Sequence, residues 1–130
     1  MSDIPTDLHY TETHEWLREE DDGSLLLGVT AHAVELLGDL VYVELPEPES
    51  ELSGGEACAV VESTKAASDV YSPVNGVVEA VNEALNDSPE LVNQDPYGAG
   101  WLVRIRPATT GSFDGLLDAG QYANHIESAG

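Results

Sequence analysis

Residues 60 to 76 read VVESTKAASDVYSPVNG and contain the only lysine in the chain, Lys65. On either side the segment is strand-like: Val60 and Val61 precede it and Val70 follows, all β-branched residues that suit a pleated surface. Between them, Ser63-Thr64-Lys65-Ala66 has no β-branched apolar residue, which predicts a tight turn. The stretch therefore reads as two extended runs with a primary amine lifted clear at the tip. A free lysine is a weak nucleophile at neutral pH and would need burial to act by itself, which a turn tip does not supply. Exposure on a rigid turn, flanked by small residues, is what an enzyme that acylates lysine requires. The position thus favours a modified side chain over a catalytic one. An ordinary surface lysine is the plain alternative, weakened here because every other surface position avoids lysine.

The remaining sequence sets the frame. A chain of 130 residues is one ordinary domain, and at about this size roughly two thirds of the unfolded surface is buried without disulfides or metals. We therefore expect a single domain over 1–130, with a flexible acidic N-terminus to about residue 9. Asp22-Gly23, between HEWLREE (14–20) and LLLGVT (25–30), signals a hairpin, since both residues tolerate positive φ. Thr30 is placed to cap a short helix, AHAVELL, ended by Gly38 in a left-handed conformation. LVYVELP alternates, predicting Val41, Val43 and Leu45 on one face with Leu40, Tyr42 and Glu44 on the other.

Continuous apolar character in ACAVVES predicts a well-buried strand. Asn75-Gly76 predicts a second hairpin, between ASDVYSP and GVVEAVNE. Ser88-Pro89 opens one helical turn at most. WLVRIRP (101–107) alternates with Trp101, Val103 and Ile105 inward, and from about Phe113 to Glu127 the positions Leu116, Leu117, Tyr122 and Ile126 recur at helical spacing. Many short strands, few helices and one terminal helix predict a mainly β sandwich or flattened barrel.

Charge and cysteine content exclude several functions. There are 25 acidic residues against Arg18, Lys65, Arg104 and Arg106, giving a net charge of −21. Such a surface repels phosphate backbones, so nucleic acid is excluded as a partner. The longest apolar runs, such as Leu25 to Leu27 and Ala57 to Val61, fall far short of the roughly 20 residues that cross a bilayer, so no membrane association is expected. The opening MSDIPTDLHY has neither signal-peptide zones nor an arginine-rich transit pattern, and a prokaryotic cytoplasm is the expected compartment. Cys58, alone in an apolar run, reads as a small buried side chain. His14-Glu15 begins like a zincin helix, but Arg18 stands where the second ligand belongs, and His9, His32 and His125 lack ligand spacing. No phosphate-binding loop or nucleophile elbow is present.

Five segments then carry a resemblance: HEW at 14–16, GDLVYVELPEP at 38–48, VESTKAASDVYSPVNG at 61–76, SPELVNQDPYGAGW at 88–101 and GLLDAGQY at 115–122. In this order and spacing the chain resembles the H-protein family of the glycine cleavage system, small lipoyl carriers, over roughly Tyr10 to Ile126. The resemblance implies a hybrid barrel-sandwich lipoyl-type domain with short helices and a C-terminal helix. It implies lipoate in amide linkage on Lys65 and a non-catalytic role. The carrier would shuttle an aminomethyl group from a pyridoxal-phosphate glycine decarboxylase (P protein) to a tetrahydrofolate-dependent aminomethyltransferase (T protein). Its dithiol would be reoxidised by dihydrolipoyl dehydrogenase (L protein), and a lipoate ligase or lipoyltransferase would load it.

Resemblance also points to Glu15, Asp69 and Thr13 as the cleft that receives the loaded arm. A carboxylate there would keep the cargo amine as ammonium, which cannot expel the thiolate. Thr64 departs from the family by standing where an aliphatic residue usually precedes the lysine, Ala99 stands in place of a common acid, and Arg104 and Arg106 replace customary lysines with the charge retained. A biotinyl carrier is the nearest rival in fold, but its lysine usually lies between methionines and the only methionine here is Met1. A lipoyl domain of another complex usually hangs on linkers to a larger acyltransferase, whereas a free-standing domain is the expectation here, and a donor role in lipoate relay stays open. Trp16, Tyr42 and Trp101 are candidates for a groove lining, with core packing the expectation for each.

The charge leaves two readings of the surface: a chain suited to a salt-rich cytoplasm, where a screening length of about 3 Å at 1 M salt removes most self-repulsion, or an acidic soluble protein with no salt requirement. Dialysis into low salt, followed by circular dichroism, separates them. A sharp loss of folded signal is the halophilic outcome, and indifference to salt eliminates that reading.

Overall fold

A computed structural model of the chain describes residues 6–108 and 116–129. Among them run strands β1 (His9–Tyr10), β2 (Glu15–Glu19), β3 (Leu25–Val29), β4 (Leu40–Glu44), β5 (Glu51–Leu52), β6 (Ala57–Ser63), β7 (Ala67–Tyr71), β8 (Gly76–Val81) and β9 (Val103–Pro107). Helices α1 (Ala31–Leu37), α2 (Ala84–Asp87), α3 (Glu90–Gln94) and α4 (Ala119–Ala129) punctuate them. The strands form a six-stranded sheet in the order β1-β2-β3-β9-β8-β5 and a three-stranded sheet β4-β6-β7, paired antiparallel throughout. This is the expected mainly β barrel-sandwich with short helices and a C-terminal helix.

The core lies between the sheets, where Leu17, Leu25 and Leu27 of β2 and β3, with Val78, Val103 and Ile105, meet Val43, Ala59, Val61 and Val70 of the smaller sheet. A second cluster, Leu8, Tyr10, Trp16, Leu26 and Tyr122, fills the other face of the large sheet beneath α4. Leu8 is buried and His9 pairs with Leu17, so the large sheet begins at this point.

Local signals account for much of this. The β2–β3 hairpin turns at Asp22-Gly23 with Gly23 at φ 88°, and Asp22 Oδ1 accepts the Ser24 amide at 3.0 Å. Thr30 caps α1 by accepting the Ala33 amide, and the Gly38 amide closes the helix on Val34. Gly38 has the expected positive φ of 84°, but its ψ of −155° lies outside the left-handed helical basin.

Four expectations need correction. Asn75-Gly76 does not make a hairpin: β7 pairs with β6 in the small sheet, whereas β8 pairs with β9 and β5 in the large one. The dipeptide is where the chain changes sheets. Gly76 is required there because a Cβ would lie 2.5 Å from the Arg106 carbonyl oxygen, and Asn75 Oδ1 accepts the Gly54 amide at 2.7 Å. The alternation of β4 is broken by a bulge between Leu40 and Tyr42, so Leu40 and Val43 face inward and Val41 and Tyr42 are 54% and 48% exposed. A bulge resets the two-residue period, and the sequence carries no mark of it.

The apolar strand β6 is buried through Ala59 and Val61, while Ala57 is exposed and Val60 only half-buried. Lastly, Leu116 and Leu117 precede the terminal helix. Leu117 exchanges both backbone hydrogen bonds with Tyr10 at 2.7 and 2.8 Å, and Asp118 and Gln121 then cap α4 reciprocally. That D-x-x-Q box was the readable start signal. Phe113 falls outside the described residues. Ser88-Pro89 does open a short helix, α3, preceded by α2, which the sequence reading lacked.

Trp16 decides the packing of the large sheet. Its ring lies over Gly28, its cross-strand partner, and its indole N–H is shared between the carbonyls of Val29 at 3.1 Å and Pro96 at 3.0 Å. A Cβ on Gly28 would sit 2.6 Å from three ring atoms. Gly28→Ala is expected to overpack this contact at a cost of about 1–3 kcal/mol, read as a lower denaturant midpoint. A midpoint unchanged from the parent would show that the ring shifts without strain.

Candidate carrier site

The β6–β7 hairpin is built for a rigid tip. Ser63 and Ala66 close the turn through the Ser63 amide and the Ala66 carbonyl at 2.7 Å. Ser63 Oγ accepts the amides of Lys65 and Ala66 at 3.2 and 3.0 Å, a hydroxyl-stabilised turn. The Thr64 amide reaches the Asp39 carbonyl at 3.3 Å, fastening the tip to the α1–β4 link. Lys65 is exposed, as its turn position predicts. A Cβ on Gly38 would lie 3.5 Å from the Lys65 Cε, an ordinary van der Waals contact, so the lysine stem runs beside Gly38. Ser63 was not singled out by the sequence reading, and Gly38 only as the end of α1, although a serine two residues before an exposed turn residue is a readable signal.

At the other end of the same hairpin sits Glu15, on the first position of β2 and only 1% exposed. Its Oε1 accepts the hydroxyls of Thr11 and Thr13, each at 2.5 Å, and its Oε2 accepts the Tyr71 amide at 3.2 Å. The carboxylate therefore ties the β1–β2 turn of one sheet to the end of β7 in the other. Burial pushes its pKa above the usual carboxylate value, and the hydrogen bonds from Thr11, Thr13 and Tyr71 pull against that rise. A cleft of about 260 Å³ opens beside it, lined in part by Thr11, Thr13, Glu15, Tyr71 and Leu116.

The structure thus brings Glu15 and Thr13 together, with Thr11 as a member that the sequence reading missed. Asp69 lies apart from that cradle. It is exposed on β7 opposite Val60, on the same strand face as Tyr71 and so between the lysine tip and the cleft.

The remaining candidates fall into structural roles. Cys58 is half-buried, and burial with the nearby Glu15 charge pushes its thiol up to about 11, leaving it neutral and unreactive. Trp16 is core and Trp101 is half-buried against the second cluster, but Tyr42 is exposed, contrary to the expectation of core packing. His14, at φ 72°, places Nδ1 2.7 Å from the Tyr122 hydroxyl, which in turn lies 2.7 Å from Thr30 Oγ1. His32 and His125 stand 4.8 and 6.0 Å from its ring, so three histidines distant in sequence gather where α4 docks. Among the described residues no three such groups are arranged to hold a metal ion. Ala99 is exposed, and Arg104 is held by Ser24 Oγ at 3.0 Å and Glu20 at 4.0 Å.

Two antiparallel sheets with one lysine held out at the tip of a hairpin define a barrel-sandwich carrier domain of the lipoyl type. Comparison with known proteins narrows this class. The family model described as Glycine cleavage H-protein matches residues 8–129. The chain is 58% identical over 130 residues to the glycine cleavage system H protein of Halorhodospira halophila, covering 100% of both. It is 60% identical over 127 residues to that of Shewanella loihica, covering 98% of each. A crystal structure of a glycine cleavage system H protein from Mycobacterium marinum superposes with a TM-score of 0.86 at 44% identity, covering 95% of this chain and 99% of that one. The chain belongs to the glycine cleavage H-protein family: it is the lipoyl carrier component of the glycine cleavage system and is not itself a catalyst. Its place is with the P, T and L proteins of that system.

Glu15 supplies a pH test of the site. Because burial raises its pKa in the folded chain, the folded state holds this proton more tightly than the unfolded state. Its contribution to stability is therefore most favourable below the unfolded value of about 4.3 and is lost as pH rises through the folded pKa. Carbon-detected NMR of the Glu15 carboxyl is expected to show a midpoint above that of the exposed glutamates. A midpoint at or below theirs would mean that the hydrogen bonds outweigh burial.

Proposed function

We propose that Lys65 bears lipoate in amide linkage, and that the cleft at Glu15 receives the amine-bearing end of the cargo while Asp69 lines the path between them. What carries this reading is the arrangement of one hairpin, with an exposed amine at its tip and a buried, hydrogen-bonded carboxylate against its far end. The residues present suit the group: Lys65 is accessible and its turn is braced by Ser63 and the Asp39 carbonyl. When bound, lipoate supplies the disulfide that takes up and gives back the aminomethyl carbon and the accompanying electrons.

The chain's own residues do the rest. Lys65 tethers. Glu15 Oε2, which faces β7 and accepts one amide, is the oxygen available to a cationic amine, and an ionised carboxylate favours the ammonium form. Asp69 adds a second negative charge on the outer face, and Thr13 a hydroxyl at the rim. Lys65 to Tyr71 is six residues, about 20 Å of extended chain, so tip and cleft are separated by a distance suited to a long flexible arm.

In this reading the whole chain is one carrier domain of the cytoplasm. It passes the aminomethyl group from glycine decarboxylase to aminomethyltransferase, presents its reduced arm to dihydrolipoyl dehydrogenase, and is loaded by a lipoate ligase or lipoyltransferase. Among the described residues no helix is long and apolar enough to cross a membrane.

Intact mass after incubation with a lipoate ligase is expected to rise by one lipoyl amide in the parent chain and not in Lys65→Arg. Reconstitution with the three partner enzymes should give glycine-dependent turnover only with the parent. Lipoylated protein that supports no turnover would defeat the shuttle reading and leave relay donation in its place.

A further inference from the structure

The carboxylate of Glu15 is held by a residue four positions earlier in a way that Thr13 does not match. Thr11 faces Glu15 across the β1–β2 turn and bonds it three times: its amide donates to the Glu15 carbonyl at 3.0 Å, its Oγ1 accepts the Glu15 amide at 3.0 Å, and its hydroxyl donates to Glu15 Oε1 at 2.5 Å. A hydroxyl has one proton to give. Thr11 Oγ1 accepts the Glu15 amide and also lies 3.3 Å from Thr13 Oγ1, but Glu15 Oε1, at 2.5 Å and charged, is the nearer and stronger acceptor for that proton. Thr13, exposed at the cleft rim, donates to the same oxygen. Both hydroxyls therefore fall on Oε1, and Oε2 is left toward β7 with the Tyr71 amide.

We propose that Thr11 is a positioning residue for Glu15, its hydroxyl keeping the buried carboxyl ionised and turned so that Oε2 meets the cargo amine. The role rests on the reading of Glu15 as the cargo acid, and it assigns to Thr11 no contact with cargo. Chemically, the demand is clear. A carboxyl in so dry a place tends to hold its proton, and a neutral acid cannot pair with an ammonium. Donors already aimed at the anion offset that tendency.

Two other titratable groups near Glu15 lie outside the relevant range. Cys58 on β6 has its thiol pushed up to about 11 by burial and by Glu15, and Tyr122 on α4 is pushed up to about 12, mainly by burial. The β7 contact is a backbone amide, and Glu12 lies on the cleft rim.

The test uses the full chain with Thr11→Val, which keeps the branched shape and removes the hydroxyl, beside Thr11→Ser, which keeps the hydroxyl. In the unlipoylated protein, the Glu15 carboxyl midpoint followed by NMR is expected to rise by about one to two pH units in Thr11→Val, the shift equivalent to one lost charge-assisted bond. Thr11→Ser should restore it, and an otherwise parent-like amide spectrum would establish that both variants fold. In the lipoylated, cargo-bearing protein, Thr11→Val should release its carbon as formaldehyde several-fold faster near neutral pH, with Thr11→Ser close to the parent.

An unmoved Glu15 midpoint in Thr11→Val overturns the proposal, as does a moved midpoint with no change in carbon release while Glu15→Gln does lose its carbon faster. Should Glu15→Gln retain its cargo as well as the parent does, the assignment of Glu15 as cargo acid falls instead, and the titration alone then reports on Thr11.

Discussion

Taking a carboxylate out of water is costly unless donors meet it, and the satisfaction of that demand at Glu15 joins the parts of this protein that matter to its work. Two threonine hydroxyls from the β1–β2 turn and the Tyr71 amide at the end of β7 converge on it. Those donors come from different sheets. Removing any one leaves a buried charge partly unpaired, which is why the cradle and the sheet-to-sheet register specify one another. The charge is costly to keep, and the role of cargo acid proposed for Glu15 would give a reason to keep it.

Separation of tether and cleft follows from the same hairpin. Val61 and Val70 bury one face of β6–β7 in the core, which fixes the strands as a rigid rod. The tip is braced by Ser63 and by the Asp39 carbonyl, and the base by Glu15. Rigid ends and a long flexible side chain at one of them give a carrier two positions for its cargo, exposed or sheltered, without moving the backbone. The fold contributes geometry and charge, while reactivity belongs to the attached group.

Electrostatics acts at two ranges. With a net charge of −21, the surface as a whole favours cationic partners and repels phosphate backbones. Close to the hairpin, Asp69 is exposed and screened, so its influence weakens with salt, whereas Glu15 is buried and little affected by it.

Local chemistry was legible wherever one residue type meets one backbone need. Asp22-Gly23 gave a hairpin, Thr30 a helix cap, and the lysine turn its exposed tip, all from short-range propensity. Lys65 needed no tertiary information, because a lone amine between small residues on a turn is visible as it stands. What the folded chain alone decided is long-range: that Asn75-Gly76 carries the strand from one sheet to the other, that a bulge turns Val41 and Tyr42 outward, that three scattered histidines meet under α4, and that Thr11 and Tyr71 converge on Glu15. The physical reason is common to all four. A turn dipeptide specifies φ and ψ but not which sheet the next strand joins, and burial or hydrogen bonding of a side chain depends on neighbours that are distant in sequence and fixed only when the two sheets close on one core.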